Sequence, residues 1–170
     1  PSDSELDKLE YTPIFLGWYL PWDAQRNKEV ALEHGFRVRE CGPIIGLYDY
    51  ADLDCINIVI HHYFKWLKFG FNRITDNASN EIRKGRMSRE EGIKIARKKD
   101  GIKPPKEYIT AFCKQIEINE NEFWETAEKF RNHKIWKKNE SGEWQINQWI
   151  DGKKLIDDFG YTKLMAYEKV

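Results

Sequence analysis

The sequence predicts a mainly α-helical chain carrying one short β-hairpin near 135–147. Three observations carry that prediction: apolar residues recur at helical spacing in several windows, side chains able to cap a helix stand in front of those windows, and two tryptophan-bearing runs flank Asn139-Glu140-Ser141-Gly142-Glu143. With 170 residues, 41% of them apolar and 14% aromatic, the chain is long enough to bury a core as a single domain spanning 1–170.

Taken in order, Ile14 to Tyr19 is short, apolar and aromatic and stops at Pro21, which predicts a buried strand or extended segment. Asp23 then caps a helix over 24–34, with Gly35 as its left-handed stop. Gly42-Pro43 and Gly46 make 41–50 irregular. Asp52 or Asp54 is the expected cap of the longest helix, Cys55 to Phe69, which is apolar nearly all round and so predicts burial on more than one side. Asp76 is expected to start a helix that runs through Lys84 to Gly85. Ser88 with Glu91 forms a capping box for Arg89 to Lys99. Pro104-Pro105 precedes a helix from Lys106 to Ile116, and Asn119 with Glu122 repeats the capping pattern before Phe123 to Arg131. Ile135-Trp136-Lys137 and Trp144-Gln145-Ile146 form the hairpin, with their tryptophans on a common side.

Charge is balanced overall, 28 basic against 28 acidic residues, so no net field draws the molecule to nucleic acid or an anionic membrane. Residues 83–103 are different: nine cationic side chains stand there against three carboxylates, a local surplus of six. Arg83, Arg86 and Arg89 crowd the helix start at Ser88, where free amides and the helix dipole also favour an anion. The bland alternative is a solvated helix face neutralised by Glu90 and Glu91. No apolar run approaches the roughly 20 residues of a membrane span. The three cysteines, Cys41, Cys55 and Cys113, fit neither a disulfide framework nor a zinc motif, and the expected location is cytoplasmic.

Other groups with chemical potential are few. Trp18, Tyr19 and Trp22 around Pro21, followed by Asp23, make either a stacking wall for a sugar or base or part of a core. His61 and His62 are adjacent, about 100° apart on a helix, so they do not share a metal ion; one is expected in the core or a cleft. Asp49, Asp52 and Asp54 form an acidic cluster of the kind that holds Mg²⁺, although capping explains at least one of them. Cys55 and Cys113 read as buried thiols. No metal site and no catalytic residue is assigned from these patterns.

Several motifs together carry a family resemblance. They are Pro21-Trp22-Asp23; Tyr48-Asp49-Tyr50; Lys68-Phe69-Gly70-Phe71 with Arg73, Asp76, Ala78, Glu81-Ile82-Arg83, Gly85 and Arg89-Glu90-Glu91; and Phe123-Trp124 with Phe130-Arg131-Asn132 and Trp136. Through them the segment from Trp18 to Trp136 resembles the C-terminal half of the N-acetyl sugar amidotransferases of bacterial lipopolysaccharide and surface-polysaccharide biosynthesis, in the PP-loop ATP-pyrophosphatase superfamily. The resemblance implies the helical C-terminal part of an α/β enzyme. In such an enzyme ATP with Mg²⁺ activates the N-acetyl carbonyl oxygen of a UDP-type sugar nucleotide, and ammonia from a separate glutaminase subunit displaces AMP to leave an acetamidino group. It further implies Lys68, Arg73, Arg83, Arg86 and Arg89 as contacts to phosphates, with Trp22 and Asp23 nearer the sugar.

The superfamily's Ser-Gly-Gly-x-Asp-Ser loop and the family's N-terminal cysteine cluster do not occur in this sequence, which contains no Gly-Gly pair. The chain is therefore expected to be the C-terminal portion of a longer enzyme. Its partner would be an N-terminal PP-loop domain, and by itself it would be catalytically incomplete and hold no cofactor. The alternative from another class is a helical module that binds nucleic acid or a protein through the 83–103 patch, a reading that neutral overall charge weakens. A third is a purely structural or oligomerisation domain.

Overall fold

In the computed structural model the described residues are 2–6, 8 and 13–146. They form a mainly helical structure with one two-stranded sheet, as the pattern predicts. In order these are α1 (Asp3–Leu6), a 3₁₀ turn (Leu16–Trp18), α2 (Ala24–Glu33), α3 (Asn57–Phe69), α4 (Arg73–Arg83), α5 (Arg89–Lys99), α6 (Lys106–Gln115), α7 (Glu120–Lys129), β1 (Trp136–Lys138) and β2 (Trp144–Ile146). The chain divides into two compact units, Pro1–Arg37 and Val38–Val170.

In the first unit, Asp23 caps α2 as expected, its carboxylate accepting from the amides of Gln25 at 2.9 Å and Arg26 at 3.2 Å. The expected buried strand over Ile14 to Tyr19 is not formed. A lone strand has no neighbour to take its amides, and the segment satisfies them locally instead: Trp18 N–H donates to Phe15 O and Tyr19 N–H to Leu16 O, each at 3.0 Å. Phe15 and Trp18 are exposed rather than core residues.

In the second unit, α3 is the spine. Its Ile60 packs with Ile109 and Cys113 of α6 and Phe123 of α7, while Tyr63 and Leu67 meet Ala127 one turn further along α7. Phe123 and Leu67 are the largest side chains withdrawn from water altogether. The end of α3 is tied to the sheet, because Leu67 O accepts from the indole N–H of Trp136 at 2.8 Å and from Asn132 N–H at 3.1 Å. The strands pair antiparallel, Trp136 opposite Ile146 and Lys138 opposite Trp144. That register places both tryptophans on one face, where the Arg131 guanidinium lies 4.9 and 5.0 Å from their rings.

Both capping boxes form as expected, at Ser88/Glu91 and Asn119/Glu122. Two other starts differ. Helix α3 begins at Asn57 with no side-chain cap, and Asp52 serves elsewhere. Helix α4 begins at Arg73, not Asp76, because Asn72 supplies the cap: its Oδ1 accepts from Ile74 N–H at 3.1 Å. Asp76 sits in the first turn and pairs with Lys65 at 2.5 Å. Among the described residues no helix is long and apolar enough to cross a membrane.

Candidate functional site

Arg73, Asn77 and Glu81 are spaced at four residues and so form one stripe along α4. Each member holds a different group of segment 46–52. The Arg73 guanidinium donates in bidentate fashion to the Asp52 carboxylate, Nε to Oδ2 at 3.1 Å and Nη2 to Oδ1 at 2.9 Å. Asn77 Oδ1 accepts from Leu47 N–H at 2.9 Å. Glu81 Oε1 accepts from Tyr48 O–H at 2.7 Å, and the same carboxylate takes Arg86 Nε at 2.6 Å. Burial first, and the bond to Glu81 second, push the Tyr48 phenol well above its usual range, so it stays a donor.

Gly46 makes this fit possible. Its φ of +82° lies in the left-handed region, and a Cβ there would stand 2.5 Å from Asn77 Oδ1 and 2.9 Å from Arg73 Cγ. Asp52 also adopts a left-handed φ, +57°, held by the two bonds to Arg73 and by Arg39 Nη2 donating to its carbonyl at 3.3 Å. Tyr48 and Tyr50 stack with centroids 4.9 Å apart.

His62 of α3 is 4% exposed, and neither ring nitrogen has a partner among the described residues. Burial, then the positive charge of Arg73, lowers its pKa to about 4, with Asp52 pulling the other way. It is the core histidine of the adjacent pair, and His61 is exposed.

Beside the loop lies a cleft of about 180 Å³. Pro43 to Gly46 form one wall, Val59, Asn72 and Ile74 the floor, and the connection from α5 to α6, with Lys99, Lys103 and Pro104-Pro105, the other side. Behind Asn72, Asp100 Oδ2 accepts from Thr75 O–H at 2.6 Å and from Asn72 N–H at 3.3 Å, and burial raises the pKa of this carboxyl.

The five cationic residues singled out in the sequence are not gathered around one point. Arg73 and Arg83 stand at opposite ends of α4, about 15 Å apart along the helix axis. Arg73 and Arg86 are bound to Asp52 and Glu81. Arg83 donates to Asn80 Oδ1, Arg89 opens α5, and Lys68 Nζ lies 4.6 Å from the centroid of the Phe130 ring. The cleft is lined by none of the five. Trp22 is exposed and Asp23 is the α2 cap, both in the first unit.

One further expectation, the burial of Cys55, needs correction, and the structure bears on two readings that the sequence left open. The aspartates do not form a cation site: Asp52 is taken by Arg73, and among the described residues no group of three or more His, Cys, Asp or Glu could hold a metal ion. Glu91 is engaged in capping Ser88. Cys113 is buried as expected, but Cys55 is exposed. Sequence reasoning missed Asn72, Lys99 and the Asp52–Arg73 pair; the four-residue spacing of Arg73, Asn77 and Glu81 was the available signal.

A mainly helical unit whose polar helix stripe clamps an upstream loop beside a small basic cleft is thus the class of structure defined here. The family model described as "LPS biosynthesis protein WbpG-like, C-terminal domain" matches residues 46–151. That is more than half of the chain, and the chain belongs to this family of lipopolysaccharide biosynthesis proteins. No curated protein matches the chain. The matched segment opens at Gly46 and so contains both the clamped loop and the stripe that holds it.

Proposed function

We propose that this chain is the C-terminal part of an ATP-dependent amidotransferase that converts the N-acetyl group of a sugar nucleotide to an acetamidino group during lipopolysaccharide biosynthesis. The observation that carries the reading is the family match over the clamped loop and α4, joined to the amidotransferase-like motif residues in the same stretch. In the reaction the acetamido carbonyl oxygen attacks the α-phosphorus of ATP, releasing pyrophosphate. Ammonia then adds to the activated carbon, and AMP leaves with the oxygen. On this reading the ATP-binding step falls to an N-terminal PP-loop domain and the ammonia comes from a glutaminase partner, as in the amidotransferases that the motifs resemble. The described carboxylates do not fit a Mg²⁺ site, and no step is assigned to the metal here. Such substrates place the enzyme in the cytoplasm.

We sort the cationic residues by what each one touches. Arg73 holds Asp52 of the loop and Arg86 holds the Glu81 carboxylate, whereas Arg83 and Arg89 are exposed on either side of the α4–α5 turn, with Lys68 near the end of α3. Arg83 and Arg89 are the residues we assign to sugar-nucleotide phosphates. In the full-length enzyme, Arg83→Ala or Arg89→Ala is expected to lower amidine formation about tenfold, the worth of one charge-assisted contact, without changing the melting temperature. Unchanged turnover in both variants removes them from the site. Salt-sensitive affinity for nucleic acid, with no response to sugar nucleotides, would instead favour a binding module.

A further inference from the structure

The cleft beside the clamped loop has a composition that the proposed chemistry does not use. Its walls are Ile44, Ile45, Val59 and Ile74 with three prolines, which carry no N–H to satisfy. Two polar side chains break that surface. Asn72 is 2% exposed and its Oδ1 is committed to Ile74 N–H, while its side-chain amide nitrogen has no protein acceptor among the described residues and stays open to solvent. Lys99 has no hydrogen bond, ion pair or ring contact among the described residues. Lys103, by contrast, places its ammonium 4.7 Å from the centroid of the Trp124 ring and offers the cleft its stem.

Both uncommitted side-chain groups that line the cleft are donors, and the unpartnered acceptor nearby, Asp100 Oδ1, is buried behind Asn72 and outside the lining. Beside an apolar lining an acceptor supplied by a ligand meets both donors at lower local dielectric than bulk water, where such bonds are stronger. The volume, about 180 Å³, is far more than one water requires and too small for a nucleotide. The wall is also rigid, because Leu47 N–H is tied to Asn77 and Gly46 is pressed against α4. We propose that this cleft binds a small organic oxyanion, a carboxylate or phosphate monoester bearing a compact apolar group. The oxygens take the Asn72 amide and the Lys99 ammonium, and the apolar group lies against the isoleucines and prolines. The site is distinct from the arginines of the α4–α5 turn and does not depend on ATP chemistry.

The test is titration of the ¹⁵N-labelled 170-residue chain with butyrate, phenyl phosphate, N-acetylglucosamine 1-phosphate and inorganic phosphate, followed by NMR. Saturable shifts at the Asn72 side-chain amide and the Gly46 amide are expected with an organic oxyanion, several times tighter than with inorganic phosphate. The tighter of butyrate and the phosphate esters identifies the headgroup, and a preference for the sugar phosphate would tie the cleft to the substrate itself. Lys99→Met should weaken binding about tenfold while Lys98→Met leaves it unchanged. Shifts confined to the exposed lysines of α5, equal effects of the two variants, inorganic phosphate binding as tightly as the organic ligands, or no binding by any of the four would overturn the proposal.

Discussion

Asp52→Asn isolates the interaction that joins loop and helix. The replacement keeps the side-chain shape and tolerates the left-handed backbone at this position, so strain is not the variable being changed. It removes the charge and turns one acceptor into a donor facing Arg73 Nε. Breaking one side of a fully buried pair costs about 3–5 kcal/mol, whereas an exposed pair is worth about 0.2–1 kcal/mol. Here Asp52 is 12% exposed and Arg73 31%, which places the loss between those limits, at about 2 kcal/mol. Urea unfolding followed by circular dichroism should show a lower midpoint with unchanged slope. A double-mutant cycle with Arg73→Met should return a coupling energy above about 1 kcal/mol. The His62 pKa should also fall further, because Asp52 is the neighbour that favours the imidazolium. Additive single variants, with coupling near zero, would show that the pair does not hold the loop, and the account of the site would lose its foundation.

Acid should destabilise the second unit through His62. Its folded pKa of about 4 lies below the unfolded value near 6.5, so the unfolded state binds the proton first and stability falls as pH drops through that window, by at most about 3 kcal/mol; His62→Phe should flatten this part of the profile in unfolding experiments at pH 7 and 4.5. Gly46→Ala should cost about 1–3 kcal/mol, for both the left-handed φ and the clash with Asn77, and should speed hydrogen exchange at the Leu47 amide while α7 is unaffected. Ser88→Ala opens the capping box of α5 and should lower stability by about 1 kcal/mol, read as a shift in the urea midpoint.

What could be read from the sequence was what depends on near neighbours. The boxes at Ser88/Glu91 and Asn119/Glu122 and the cap at Asp23 involve residues two or three apart, and all three formed as the local pattern predicts. The hairpin was legible for the same reason, since its turn and its tryptophans lie within a dozen residues. Asp52, one of the two caps expected for α3, is drawn off by a partner 21 positions away, and capping preference alone is blind to such a competitor. Asp76 lost the start of α4 to Asn72, although both residue types cap helices, because Asp76 meets Lys65 of the neighbouring helix. At the candidate site, charge density located the basic region, but density does not report which guanidinium groups already have carboxylates.

That distinction bears on why the motif uses arginine where it does. Several guanidinium groups lie against carboxylates in bidentate contacts, among them Arg73 on Asp52, Arg86 on Glu81 and the largely buried Arg131 on Glu128. A planar fork with several fixed donors matches both carboxylate oxygens at once, whereas an ammonium acts as a point charge on a flexible stem. These arginines are thus suited to set loop and helix geometry, and Lys99, an exposed ammonium on a long stem at the cleft, to meet a ligand. It follows that Arg73→Lys would not be conservative: one of its two bonds to Asp52 is lost, and the loop that forms the cleft wall loses its anchor. Lys99→Arg, in contrast, should keep the charge at the cleft and retain most of the oxyanion affinity, which the same titration would read directly.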